Sequence, residues 1–219
     1  MQRKMLGLIH TSATLVPVFA ALCRERLPSV EVFNIADDSL IKDVIARGEL
    51  TAKTARRVAG HVASAEEAGA EFILVTCSSI GAAVEAAAPL TGIPVLRVDQ
   101  PMADEAVRVG RRIGVIATLP TTLAPTADLI RRRAALAGKD VALMPRLCEG
   151  AFDALMGGDA ATHDAMVAAA LTELAAQSDV IVLAQASMAR VAEGLPERDR
   201  RVPVLTSPPL AIDHLAKIL

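Results

Sequence analysis

Residues 75 to 79, Val-Thr-Cys-Ser-Ser, close the apolar run "EFILVTC" on a thiol and follow it with two serines. A free thiol titrates near pKa 8.5 and drops when a helix starts just behind it. A cysteine at a strand end is therefore a candidate base, acid or nucleophile as well as a candidate core filler. His10 closes "KMLGLIH", with Thr11 and Ser12 behind it, and is a second proton carrier of suitable type. Its imidazole would pair with Cys77 or move a proton itself. Cys23, in "VFAALCRERL", reads as core, and Cys148 follows a strand in the second half. The three cysteines form no CxxC or Cys/His spacing, so neither a metal site nor a disulfide framework is expected. His61, His163 and His214 read as solvated helix residues.

Two kinds of element must position these groups. Short apolar runs ("KMLGLIH", "VEVFNIA", "EFILVTC", "IPVLRVD") alternate with helical stretches over about Leu15–Arg26, Thr51–Ala68 and onward from Pro101. That alternation marks a parallel sheet covered on both faces. The second half repeats the plan. Gly114 and Thr118 lie 107 residues after Gly7 and Thr11, while Ser187 and Pro209 lie 108 after Ser79 and Pro101. So long a period predicts two similar α/β lobes, each a short parallel sheet flanked by helices, rather than a solenoid. The expected lobes are 1–98 with 208–219, and 99–207.

Open parallel sheets bind ligands beyond the carboxyl ends of their strands, so a cleft lined by both sets of strand ends is expected. The residues there are His10-Thr11-Ser12, Cys77-Ser78-Ser79, Asp99-Gln100, Thr118 to Thr122, Gln185-Ala186-Ser187 and Ser207. No GxGxxG follows the first strand and no GxxxxGK[ST] occurs, which removes dinucleotide and nucleoside-triphosphate readings.

Composition narrows the partners. The formal net charge is −2, with four Phe and no Tyr or Trp, so both the basic patch and the stacking platforms of a nucleic-acid binder are missing. The arginine-rich stretches at 131–133 and 197–201 read as a solvated helix face and a polar loop. No apolar run approaches the roughly 20 residues of a bilayer span, and "MQRKMLGLIH" is too polar for a signal peptide, so no membrane contact and a cytoplasmic location are expected.

The doubled plan, "VTCSS" in the first half and "GVIATLPTT" opening the second resemble the aspartate/glutamate/hydantoin racemase superfamily along essentially the whole chain. The resemblance implies an enzyme without a cofactor, acting on a small carboxylate or carbonyl compound at the carbon beside that group, and a homodimer or higher homo-oligomer. It also implies one cysteine from each lobe on opposite faces of that carbon, and threonines such as Thr118, Thr121 and Thr122 on the substrate carboxylate. Here the chain departs from the pattern. Where the family reads "LGCAGM" or "LGCTH", this sequence reads "LAQASM", and the 108-residue repeat independently sets Gln185 opposite Cys77. Glutamine cannot carry a proton as a base does.

The expectation is thus a racemase- or isomerase-type enzyme with Cys77 as its single thiol acid/base and His10 as the other catalytic candidate. The helix that starts near Ser78, with the Ser78 and Ser79 hydroxyls, would seat one anionic group. The matching helix after Gln185, with Ala186 and Ser187, would seat a second anionic or carbonyl group, and Thr11 and Ser12 would add hydroxyls. A decarboxylase, which needs only one proton delivery, and a non-catalytic carboxylate-binding homologue are the rival readings.

Overall fold

The computed structural model describes residues 4–194 and 201–219; residues 197–200 of the expected polar loop lie outside them. The chain divides into two compact units, Met1–Gln100 with Pro208–Leu219, and Pro101–Ser207.

In the first unit the strands are β1 (Met5–His10), β2 (Glu31–Ala36), β3 (Phe72–Val75) and β4 (Val95–Arg97), all parallel, in the order β2-β1-β3-β4. Helices α1 (Leu15–Arg26), α2 (Asp38–Arg47), α3 (Ala52–Glu67) and α4 (Gly81–Ala87) connect them. Alternate strand residues feed two cores, as a sheet buried on both faces requires. Ile9, Ile73 and Val75 pack with α2, α3 and α4, and Leu6, Leu8 and Leu74 pack with Phe19 and Cys23 of α1. Ala211, Ile212 and Leu215 join the latter core, and Arg26 Nη1 lies 2.6 Å from Asp213 Oδ1, which ties the last segment of the chain to this unit.

The second unit contains α5 (Gln100–Val109, entering from the first unit at its initial residue), β5 (Arg112–Ala117), α6 (Pro120–Leu136), β6 (Ala142–Leu147), α7 (Ala151–Met156), α8 (Ala160–Ala175), β7 (Val180–Leu183), α9 (Ala189–Gly194) and β8 (Val204–Thr206). The final helix, α10 (Ser207–Leu215), starts at the boundary and lies almost wholly in the first unit. Its sheet order, β6-β5-β7-β8, is the first order repeated, again all parallel.

The register carries the duplication to the residue. Leu6 pairs with Phe72, and their counterparts Ile113 and Val180, 107 and 108 positions on, pair likewise. At the last strands the offset grows by one: Ile73 faces Val95 while Ile181 faces Val204, so the connection into β8 holds one residue more than its counterpart, and 108 does not apply there. Helix α2 was not expected, although its signals stand in the sequence. Asp37 caps its first turn by accepting from Ser39 N–H, and Gly48 closes it at φ 70°.

Candidate active site

Cys77 stands two residues after β3 and caps a single 3₁₀ turn, Ser78–Ile80, before α4 begins at Gly81. The expected helix start at Ser78 is therefore a tight turn, and α4 itself is only seven residues long. The turn's donors address the thiol itself. The Thr11 hydroxyl, the N–H groups of Ser79 and Ile80, and the Ser79 hydroxyl stand near the Cys77 sulfur. These donors favour the thiolate, but burial outweighs them and pushes the Cys77 thiol above its ordinary value, the reverse of the lowering expected from position alone. Ser78 and Ser79 are buried, and Cys77 is partly exposed.

Behind the turn, Arg97 is 3 % exposed and holds fully buried Asp99 by two bonds of 3.0 and 2.8 Å. A third bond, 2.7 Å, runs from its Nη1 to Glu85 Oε1. The guanidinium lies against Gly81, where a Cβ would overlap it. Asp99, one of the strand-end residues, is thus committed to an internal ion pair.

His10 is fully buried at the end of β1, tilted against Phe19 with ring centroids 5.6 Å apart. Its partners are Thr76 and Asn34 rather than Cys77. His10 Nδ1 lies 2.9 Å from Thr76 Oγ1, a hydroxyl that also reaches the Ile9 carbonyl at 3.2 Å. Nε2 lies 2.9 Å from Asn34 Oδ1. Burial lowers the His10 pKa, and the Asn34 bond pulls weakly the other way. Both ring nitrogens are engaged inside the protein, which is the geometry of a positioning group. Asn34 and Thr76 were not singled out in the sequence; a lone Asn inside the apolar strand "VFNIA" was the available signal.

Ser12, half-buried, bonds Thr14 Oγ1 at 2.7 Å. Three other histidines depart from the solvated reading. His163 is fully buried, its Nδ1 2.7 Å from Asp164 Oδ1; His61 is half-buried and 2.8 Å from Asp37 Oδ2; His214 is half-buried in α10.

In the second unit Gln185 follows β7 as Cys77 follows β3, and caps the matching 3₁₀ turn, Ala186–Met188. Ala186 and Ser187 are half-buried. Gln185 Oε1 accepts from the Thr118 backbone N–H at 2.5 Å and from the Thr118 hydroxyl at 2.9 Å. Thr118 thus stands to Gln185 as Thr11 stands to Cys77. Thr121 and Thr122 occupy the first turn of α6; Thr122 is buried, and the Thr121 Oγ1 is a buried hydroxyl with no partner among the described residues. Cys148, 6 % exposed, directs its Sγ to the Met166 carbonyl at 3.8 Å beside the edge strand β6, and burial raises its pKa. Among the described residues no three His, Cys, Asp or Glu side chains converge as a metal ion would require, and no helix is long and apolar enough to cross a membrane.

A family model described as Asp/Glu/Hydantoin racemase matches residues 6–215. Solved structures of the same fold include an allantoin racemase from Klebsiella pneumoniae (21 % identity, TM-score 0.69, 99 % of this chain and 87 % of that one). A glutamate racemase from Bacillus anthracis is similar at 20 % identity and TM-score 0.71, over 100 % and 82 % of the two chains. The aspartate racemase of Picrophilus torridus gives 12 % and 0.74, over 98 % and 94 %. No curated protein sequence matches the chain.

Proposed function

This chain belongs to the Asp/Glu/Hydantoin racemase family, and from that membership we propose an enzyme that needs no cofactor and moves a proton at the carbon beside a carboxylate or carbonyl of a small molecule. Cys77 is its one thiol acid/base. The observation that carries this reading is the paired placement at the two sheet ends: in each unit a threonine directly after the first strand stands beside the second residue past the third strand, a thiol in one unit and an amide in the other.

The proton step follows from the thiol's surroundings. As the sulfur gives up its proton, the Thr11 and Ser79 hydroxyls and two backbone N–H groups already face it, so the developing thiolate meets fixed donors without reorganisation. His10 orients Thr76, the residue before Cys77, by the contact at its Nδ1, and so holds the thiol's strand end in place.

Decarboxylation is a second reading favoured by one observation. Burial keeps Cys77 protonated at neutral pH, which suits a group that only delivers a proton to a carbanion.

The experiment is incubation with L-aspartate, L-glutamate, hydantoins and arylmalonates in D₂O, reading deuterium at the reacting carbon. The reading expects label or product that disappears in Cys77→Ala. Full activity in that variant would overturn the thiol mechanism, and binding without label or product would favour a non-catalytic homologue.

A further inference from the structure

The second sheet ends on two converging donors with an acceptor already seated between them. Thr118 N–H and Thr118 Oγ1 reach the single atom Gln185 Oε1 at 2.5 and 2.9 Å. A backbone N–H can only donate, so the amide atom facing it is the oxygen, and the NH₂ group lies on the other arm of the same planar amide. Gln185 is half-buried, and among the described residues its Nε2 has no hydrogen-bond partner.

We propose that Gln185 is the specificity-determining residue of the second unit: it presents a fixed NH₂ donor to a carbonyl or carboxylate oxygen of the substrate, while Thr118 is a positioning residue that does not touch the substrate. This rests on the proposed enzyme reading and goes further in naming the donor atom. Thr118's two donors are what one carboxylate oxygen would require, and Oε1 has taken that place. A ligand oxygen reaches them only by expelling the amide; on Nε2 it gains a donor and displaces no protein bond. A thiolate at this position would repel the same oxygen, so the replacement converts a proton carrier into an acceptor-reading group.

The clamp is tested without any ligand. In ¹⁵N spectra of the full chain the Thr118 amide proton is expected far downfield and slow to exchange, and Gln185→Met should move it upfield and speed its exchange. A Thr118 amide unchanged in that variant overturns the clamp.

The donor role uses two probes, L-aspartate for a carboxylate and hydantoin for a neutral carbonyl, titrated by calorimetry. Gln185→Met should weaken binding by about tenfold, near the worth of one good hydrogen bond. Gln185→Glu keeps an oxygen on Thr118 but replaces the donor with a charge, and should weaken L-aspartate binding at least as much. Thr118→Val keeps the N–H clamp and should cost less than about threefold. Tighter binding in Gln185→Met would mean that the amide is a plug on donors meant for the ligand, and overturns the inference. So does unchanged binding in both Gln185 variants, or binding of neither probe by the wild type. Deuterium exchange lost in Cys77→Ala would stand through any of these results, so the two readings fail separately.

Discussion

The Thr11 hydroxyl, directly after β1, stands beside the Cys77 sulfur, two residues past β3, and favours its thiolate. A donor on sulfur is worth more to the thiolate than to the thiol, so Thr11→Val should raise the thiol pKa further. A hydrogen bond to a charged group contributes about 1.5–3 kcal/mol, so alkylation by iodoacetamide at fixed pH should slow by roughly tenfold or more. The pH dependence of alkylation, with peptide mapping to separate Cys77 from Cys23 and Cys148, measures it. Alkylation at the wild-type rate would remove Thr11 from the thiol's environment.

The pH dependence of turnover separates base from acid. With the Cys77 pKa raised by burial, a thiolate base gives kcat/KM rising with pH past the ordinary thiol range. A thiol that only delivers a proton gives a plateau at neutral pH and a fall at high pH. Measured on one substrate, the sign of the alkaline limb assigns the role.

Two glycines in the first unit predict opposite outcomes. A Cβ at Gly81 would overlap the Arg97 guanidinium, which cannot retreat without giving up Asp99 or Glu85. Breaking a buried ion pair costs about 3–5 kcal/mol, so Gly81→Ala should lower Tm substantially and loosen the turn that carries Cys77. Gly60, inside α3, has nothing within 4 Å of its built Cβ. Gly60→Ala should stabilise by about 0.8–1 kcal/mol through helix propensity. Thermal melts of both variants check the pair.

Acid should destabilise the protein in two stages. His10 has a lowered pKa when folded, so the unfolded chain binds the extra proton first. Its contribution is complete above about pH 6.5 and is lost as pH falls from there through the folded value. Asp37 is also partly buried, which opposes ionisation, but bonds from Ser39 and His61 and the Arg57 charge outweigh that and bring it down to about 2. Its contribution is therefore held above about pH 4 and lost toward pH 2. Denaturant titrations from pH 7 to 3 should show the upper stage flattened in His10→Asn and the lower one in Asp37→Asn.

The sheets, their repetition and the Cys77/Gln185 pair could be read from the sequence, because parallel strands buried on both faces leave unbroken apolar runs and strand ends fall at fixed offsets. The side-chain partners could not. His10 at a strand end looks the same in sequence whether it faces a substrate or Thr76 and Asn34, since its partners lie 66 and 24 residues away. The direction of the Cys77 pKa was missed for a related reason: position supplies the donors, but burial, set by packing from distant segments, outweighs them. His163 lies in an Ala-rich helix of weak amphipathicity, where no periodicity shows which side is buried.

The central claim is that a proton enters or leaves at Cys77 and that Gln185 carries none. Chiral analysis of product in D₂O, for the wild type, His10→Asn and Gln185→Cys, tests it most directly. The account predicts deuterium in a single enantiomer, or a single enantiomer formed by decarboxylation, in both the wild type and His10→Asn, with exchange into the second enantiomer appearing only in Gln185→Cys. Interconversion of both enantiomers at comparable rates by the wild type would contradict it, and loss of that interconversion in His10→Asn would make His10 the second proton carrier.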